Sequence, residues 1–312
     1  MEPVLIEQII AGKISEEEIK RFLLDLKARG ETSEDLANAA RALLKAATPF
    51  PRPDYEFADL VGTGGDEQGT LNISTAAAFV VAQMGLPVAK HGNKSVSSKC
   101  GSADVLVSLG ADLELLPEKS RDCLDKLDFC FLLAPVYHPG MRYAAAARKA
   151  LATRTIFNLL GPLVNPARPP IQLTGVYDPK LCRPMAETFQ KLGSKSALVV
   201  HGSGLDEIAI HGPTQAVLLK DGEISEFVLH PIHTEPLESI RGGDPEENAA
   251  WLVRILKGQA TEAQNQAVAL NAAGLMFLTG ESFRMRFDQA LETILSGKAY
   301  DKLDAFITYT RS

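Results

Sequence analysis

The stretch 59–75, DLVGTGGDEQGTLNIST, places four glycines, Asp66 and the side chains of Asn72, Ser74 and Thr75 between a short apolar run and a helix-like run. Glycine lets backbone amides approach a ligand with no side chain in the way. A turn that opens a helix aims those amides and the helix dipole at an anion such as phosphate. The spacing is neither that of a Walker A loop nor that of GxGxxG. Asp66 would repel a bare phosphate, so it fits a ligand that also carries hydroxyls, or a nearby metal ion. A plain tight turn explains the glycines equally well, and helix capping explains Asn72, Ser74 and Thr75.

Two further clusters carry the same kind of chemistry. KHGNKSVSSKCGSADVL, residues 90–106, brings Lys90, Lys94 and Lys99 together with Ser97, Ser98, Gly101 and Ser102 just ahead of a helix-like run, the composition of a second anion-binding loop. Taken alone, those lysines read as a solvated face. GLDEIA sets Asp206 beside Glu207 after the apolar run ALVVHG. Paired hard oxygens near two phosphate-type loops suit Mg²⁺ shared with a diphosphate; an exposed acidic turn is the alternative.

These clusters need elements to position them. From Phe57 onward, strand-length apolar runs (ADLVG, LPVAKHG, FCFLLAP, QLTGVY, SALVVHG) alternate with helical stretches, which predicts an α/β unit with a mostly parallel sheet. QAVLLKDGEISEF has a DG dipeptide between two strand-like runs, a hairpin signal. Residues 246–308 read as mainly helical. The first 48 residues read as a small helical unit, with Ile19, Phe22, Leu23 and Leu26 on one stripe and SEEE at 15–18 fitting a capping box. TPFPRP, residues 48–53, has three prolines in six positions and breaks the helical pattern, so the expected units are 1–48 and 54–312. The alanine-rich HPGMRYAAAARKAL is expected to form an inserted helix, around 138–153, that rejoins the helical unit.

In this order and spacing, GTGGD (62–66), NIST (72–75), KHGN (90–93), GSADVL (101–106), HPGMR (138–142), RTIFNLLGPLVNP (154–166), GVY (175–177) and HGSGLDE (201–207) resemble the anthranilate phosphoribosyltransferase family over essentially the whole chain. The resemblance implies a helical N-terminal domain on a larger α/β domain of the nucleoside phosphorylase and phosphoribosyltransferase type. It also implies a homodimer formed through the helical parts, and transfer of phosphoribose from phosphoribosyl diphosphate (PRPP) to the amine of anthranilate in tryptophan synthesis. Carried over by motif, Gly62, Gly65, Asp66, Thr70, Asn72, Ser74, Thr75, Lys90 and Ser102 would hold PRPP. Ser74, Asp206 and Glu207 would serve Mg²⁺. Gly62, Asn93, His138, Arg148 and Gly161 would seat anthranilate, with Arg148 meeting its carboxylate. No residue is nominated as general base or nucleophile, because the aromatic amine is already uncharged at neutral pH. The chain departs from the family's common residues at Lys94, Gly140, Cys100 and the alanine run around Arg148.

Composition narrows the rivals. With 312 residues, 46% hydrophobic and 23% charged, the chain has material for a sizeable core. The start MEPVLIEQIIAGKISEEE lacks the marks of a signal peptide, and no apolar run reaches membrane-spanning length, so the expectation is a cytoplasmic protein with no membrane partner. The four cysteines have no CxxC or metal-ligand spacing and are expected to be reduced. A net charge of −7 argues against a nucleic-acid surface. Two alternatives remain: an enzyme of the same fold with another acceptor, such as a nucleoside phosphorylase, and a non-catalytic relative that binds nucleic acid.

Overall fold

The computed structural model describes residues 3–95 and 99–312. Three helices open the chain: α1 (Pro3–Ile10), α2 (Glu16–Arg29) and α3 (Ser33–Ala46). Ser15 and Glu18 close the capping box that SEEE predicted: the Glu18 amide donates to Ser15 Oγ at 3.3 Å and the Ser15 amide to Glu18 Oε2 at 2.9 Å. Thr32 and Asp35 repeat the device at the start of α3. The helix Arg142–Leu151 lies against α1 and α2 through the fully buried Ala144 and Ala147. Gly140, just before it, runs so close to Ile10 that an added Cβ would press on the Ile10 carbonyl. That packing accounts for the glycine at this position.

Among the described residues, seven strands form one sheet: β1 (Ala58–Gly62), β2 (Val88–Gly92), β3 (Phe129–Leu133), β4 (Ile171–Gly175), β5 (Ser196–Gly202), β6 (Thr214–Lys220) and β7 (Glu223–Leu229), in the order β3-β2-β1-β4-β5-β6-β7. The first five are parallel, and β6 and β7 add an antiparallel edge. The hairpin expected at DG is present, with Asp221 (φ 51°) and Gly222 (φ 81°) both left-handed, as a type I′ turn requires.

Alternation along the strands divides the core into two. Leu198, Val200 and Ala216 face a layer built on α4 (Ile73–Gln83) and the helices Glu262–Phe277 and Ala299–Arg311, whereas Ala197, Val199, Val217 and Leu219 face the helix Cys182–Leu192 and the N-terminal helical unit. All four cysteines are buried, and among the described residues none is joined in a disulfide. Among the described residues, no helix is long and apolar enough to cross a membrane.

The sheet order fixes where a ligand can sit. From β1 the chain winds outward through β2 to β3, then returns to place β4 on the other side of β1. The strand order therefore reverses between β1 and β4. In parallel α/β sheets the crevice outside the carboxyl ends of the strands at such a reversal is the favoured binding position. The glycine-rich loop leaves β1 at that point.

Candidate active site

Gly62 ends β1 and Gly175 ends β4, and the turn carrying Asp206 and Glu207 lies over both. A Cβ on Gly62 would overlap the Asp206 carboxylate, and one on Gly175 would overlap the Asp206 backbone carbonyl. The Gly64 amide donates to Asp206 Oδ2 at 2.6 Å. Gly64 (φ 68°) and Gly65 (φ 81°) adopt left-handed backbone to make this turn. Asp66 Oδ1 accepts from the Gln68 amide at 3.2 Å, while its Oδ2 is buried without a hydrogen-bond partner among the described residues. From behind, Asn271 on the helix Glu262–Phe277 clamps the chain after the acid pair: its Oδ1 accepts from the Ile208 amide at 2.9 Å and its Nδ2 donates to the Ile208 carbonyl at 3.1 Å.

Lys90 reaches the same place from β2. It is 1% exposed, and its Nζ donates to the Leu60 carbonyl at 2.6 Å and to Ser74 Oγ at 3.3 Å. Burial lowers its pKa, against the pull of Asp59 and Glu207. Burial also pushes the Asp206 carboxyl up to about 7, helped by the charge of Asp66. Glu207 is raised well above its ordinary range by burial and by Asp206, with Lys90 acting in the opposite direction. Asp66, Asp206 and Glu207 thus form a cluster of mutually repelling carboxyls, which Lys90 offsets at Glu207. Its donors are hard oxygens, and one of them is orphaned, so the set fits Mg²⁺. No group of three or more His, Cys, Asp or Glu among the described residues is arranged to hold a metal ion by itself. That agrees with an ion that takes one or two carboxylates and fills its remaining positions with water and phosphate oxygens.

The remaining donor-side residues hold the loops to one another. Asn72 makes no side-chain cap at the start of α4; instead its Oδ1 accepts from Asn248 Nδ2 at 2.8 Å and its Nδ2 donates to the Cys100 carbonyl at 3.4 Å. Thr70 forms an isolated bridge with Arg241. Thr75 is fully buried and its hydroxyl has no hydrogen-bond partner among the described residues. In the second loop Asp104 Oδ2 accepts from the amides of Ser95 (2.8 Å) and Gly101 (2.9 Å), so those two donors are engaged within the protein. Ser102 Oγ lies against Gly92, where a Cβ would displace it. Lys94 and Lys99 are exposed, while Ser97 and Ser98 lie outside the described residues.

On the opposite face of the sheet, His91 Nδ1 donates to the Gly161 carbonyl at 3.1 Å and His138 Nε2 donates to the Val164 carbonyl at 2.7 Å. These bonds leave His91 Nε2 and His138 Nδ1 buried without hydrogen-bond partners among the described residues. The two rings meet edge to face, 5.4 Å apart. Burial and the neighbouring His138 push the His91 pKa down to about 3, and burial lowers that of His138, so both rings are neutral. Arg148, on the helix Arg142–Leu151, is half-buried with its guanidinium 5.5 Å from the Phe157 ring and has no acidic partner among the described residues. Burial lowers its pKa. Asn93 is exposed, and its Oδ1 accepts from the Lys94 amide at 2.8 Å.

Four further residues shape the site without having been singled out in the sequence. They are His91, Asn271, Asp59 and Arg154. Asp59 is fully buried and accepts from Asn165 Nδ2 at 2.8 Å, which pins the segment after Gly161 to the sheet. Arg154 stacks 4.2 Å from the Tyr177 ring, donates to the Gly65 carbonyl and pairs with Glu67 at 3.1 Å. Strand parity within KHGN was the available signal for His91: side chains alternate, so a neighbour of Lys90 must face the other side of the sheet.

Residues 54–300 match "Glycosyl transferase family, a/b domain" and residues 4–47 match "Glycosyl transferase family, helical bundle domain". Anthranilate phosphoribosyltransferase of Aeromonas salmonicida is 53% identical over 298 residues, covering 94% of this chain and 88% of the relative. The crystal structure of the Thermus thermophilus enzyme superposes with a TM-score of 0.95 at 40% identity, covering 99% of this chain and 94% of that one. The Saccharomyces cerevisiae enzyme in complex with PRPP and Mg superposes with a TM-score of 0.89 at 29% identity, covering 99% and 91%. On this sequence identity, sustained over nearly the full length and joined to the same fold, the chain belongs to the anthranilate phosphoribosyltransferase family.

Proposed function

We propose that the chain transfers the phosphoribosyl group of PRPP to the amine of anthranilate in tryptophan biosynthesis, giving N-(5-phosphoribosyl)anthranilate and diphosphate. The observation that carries this reading is the seat of Asp206 against Gly62, Gly64 and Gly175, at the crevice where the strand order reverses. Gly62, Gly65, Asp66, Thr70, Asn72, Ser74, Thr75, Lys90 and Ser102 form the PRPP side. Asp66 suits the ribose hydroxyls, and Lys90 with the loop amides suits the diphosphate. Ser74, Asp206 and Glu207 would hold Mg²⁺, which when bound supplies positive charge to the leaving diphosphate as the C1–O bond weakens.

Gly62, Asn93, His138, Arg148 and Gly161 form the anthranilate side, with the Arg148 guanidinium taking the carboxylate and directing the amine toward C1. The new C–N bond forms as the C1–O bond breaks, and the amine proton leaves to solvent. Rate then comes from charge placement and proximity, with no covalent intermediate.

The helical unit 1–48, completed by 138–153, is assigned as the joint of a cytoplasmic homodimer, with 54–312 as the catalytic unit. Leu24 and Tyr143, 47% and 42% exposed, are large apolar side chains which that unit leaves uncovered. Anthranilate fluorescence tests the reaction. It should decay only when PRPP and Mg²⁺ are both present. Persistence of the signal, or decay with a nucleoside and phosphate instead, would overturn the reading.

A further inference from the structure

A second cavity, of about 650 Å³, opens at the amino ends of β4 and β5, on the side of the sheet remote from the reacting crevice and on the seam with α3. Arg41, Lys45, Arg52, Arg168 and Lys195 line it, and no aspartate or glutamate does, in a chain whose net charge is −7. Three of these cations have acidic partners outside the lining: Lys45 with Glu7 at 3.0 Å, Arg41 with Glu34 at 3.9 Å, and Lys195 with Glu56. Arg52 and Arg168 have no acidic partner among the described residues. Arg168 also holds a left-handed backbone (φ 52°), a conformation that side chains other than glycine and asparagine adopt at a cost.

The wall and floor add two more constraints. Leu44, Leu163, Phe189 and Leu192 supply an apolar wall. Gln172 is 6% exposed; its Oε1 has no hydrogen-bond partner among the described residues, and its Nε2 lies 3.5 Å from the Pro169 carbonyl, at the limit of a bond. A buried amide oxygen left unpaired is costly, so an occupant that donates a hydrogen bond to it is favoured. Beside it, Asn165 donates at 2.8 Å to both Asp59 and the Ala89 carbonyl, so the floor of this cavity is fixed to the centre of the sheet.

We propose that this cavity is a binding site, separate from the PRPP and anthranilate crevice, for a small organic anion. The ligand would carry at least two negative charges from carboxylate or phosphate groups, an O–H donor, and an apolar body. Arg52 and Arg168 receive the charges, Gln172 Oε1 accepts the donor, and the leucines and Phe189 cover the body.

Two hydroxylated aromatic dianions, one a dicarboxylate and the other a phosphate monoester, test it by calorimetry on the full chain: 5-hydroxyisophthalate and 4-hydroxyphenyl phosphate. Both are measured with saturating anthranilate present, so that the acceptor site is filled. Each should bind with one-to-one stoichiometry, and the tighter of the two identifies the acid the site prefers. Arg52→Gln with Arg168→Asn, the latter chosen because asparagine accepts left-handed backbone, should weaken binding roughly 10- to 100-fold and leave turnover unchanged. Gln172→Met should weaken it by a smaller factor. Arg148→Ala should not change it at all. Absence of saturable binding overturns the proposal. So does binding that survives the double substitution, or binding that anthranilate or Arg148→Ala abolishes, because it would then belong to the reacting crevice.

Discussion

Gly62 and Asp206 are in such close contact that the Gly62 Cα has room for hydrogen alone on the side facing the carboxylate. Gly62 has ordinary strand backbone, so its glycine is required by this contact and not by conformation. Gly62→Ala should therefore displace Asp206 while leaving the sheet intact, and turnover should fall by about 100-fold or more, as misplacements of around 1 Å do. Gly64 offers the control. A Cβ there meets nothing within 4 Å, but φ is +68°. Gly64→Ala should cost about 1–2 kcal/mol of stability and have the smaller effect on turnover. Steady-state kinetics beside urea denaturation of both variants decides the matter, and equal loss of turnover in the two would dismiss the steric argument.

The acid pair sets stability against function. Burial, and then the charge of neighbouring carboxylates, raises the pKa of Asp206 and of Glu207, and Lys90 opposes the shift at Glu207. Asp206→Asn with Glu207→Gln keeps the shape and removes that repulsion. In the absence of metal the double variant should melt at the same temperature as the parent or higher, yet be nearly inactive and have lost its response to Mg²⁺. Thermal denaturation with and without Mg²⁺ tests both halves. Unchanged turnover with unchanged Mg²⁺ dependence would remove these residues from the metal site.

Much of this site was legible in the sequence because its parts are local. DG read as a hairpin and SEEE as a helix start, since each pattern satisfies its own hydrogen bonds within a few residues; GTGGD read as bare backbone, although its Gly64 amide is met only by the distant Asp206. Lys90 was legible as a charge, but its sequestration behind Leu60 and Ser74 was not, because that depends on β1 and α4 closing over it. His91 and Asn271 were missed for the same reason. Asn271 lies 65 positions along the chain from Asp206 and meets its turn only through the path of the helix Glu262–Phe277. The second loop shows the converse. Its composition suggested free amides, and Asp104 takes two of them.

His91 gives the fold a dependence on acid. Its folded pKa, about 3, lies below the ordinary value of 6.5, mainly because it is buried. A histidine held neutral contributes stability that is complete above the unfolded pKa and is lost as pH falls toward the folded one. Between pH 7.5 and pH 5 this residue alone should cost about 2 kcal/mol. His91→Gln retains a donor for the Gly161 carbonyl and cannot titrate. The stability difference between parent and variant, from urea unfolding at the two pH values, should shift by about that amount in the variant's favour at pH 5. A pH-independent difference would mean that His91 titrates in the folded protein as it does in the unfolded chain.

Arg148 tests the acceptor side. Its guanidinium is half-buried over Phe157 with no acidic partner among the described residues, an arrangement that an incoming carboxylate would complete. Arg148→Ala removes a charge-assisted bond worth about 1.5–3 kcal/mol, so the KM for anthranilate should rise by roughly 10- to 100-fold while that for PRPP moves little. Arg148→Lys should recover only part of the loss, because an ammonium cannot offer the two parallel donors of the guanidinium fork. If the alanine-rich helix instead presents Arg148 to solvent during turnover, the alanine variant would keep the parent's anthranilate kinetics. Steady-state titration of each substrate against the other separates the two cases. That second result would withdraw Arg148 from the acceptor site and leave the PRPP side, built on Gly62, Lys90 and Asp206, untouched.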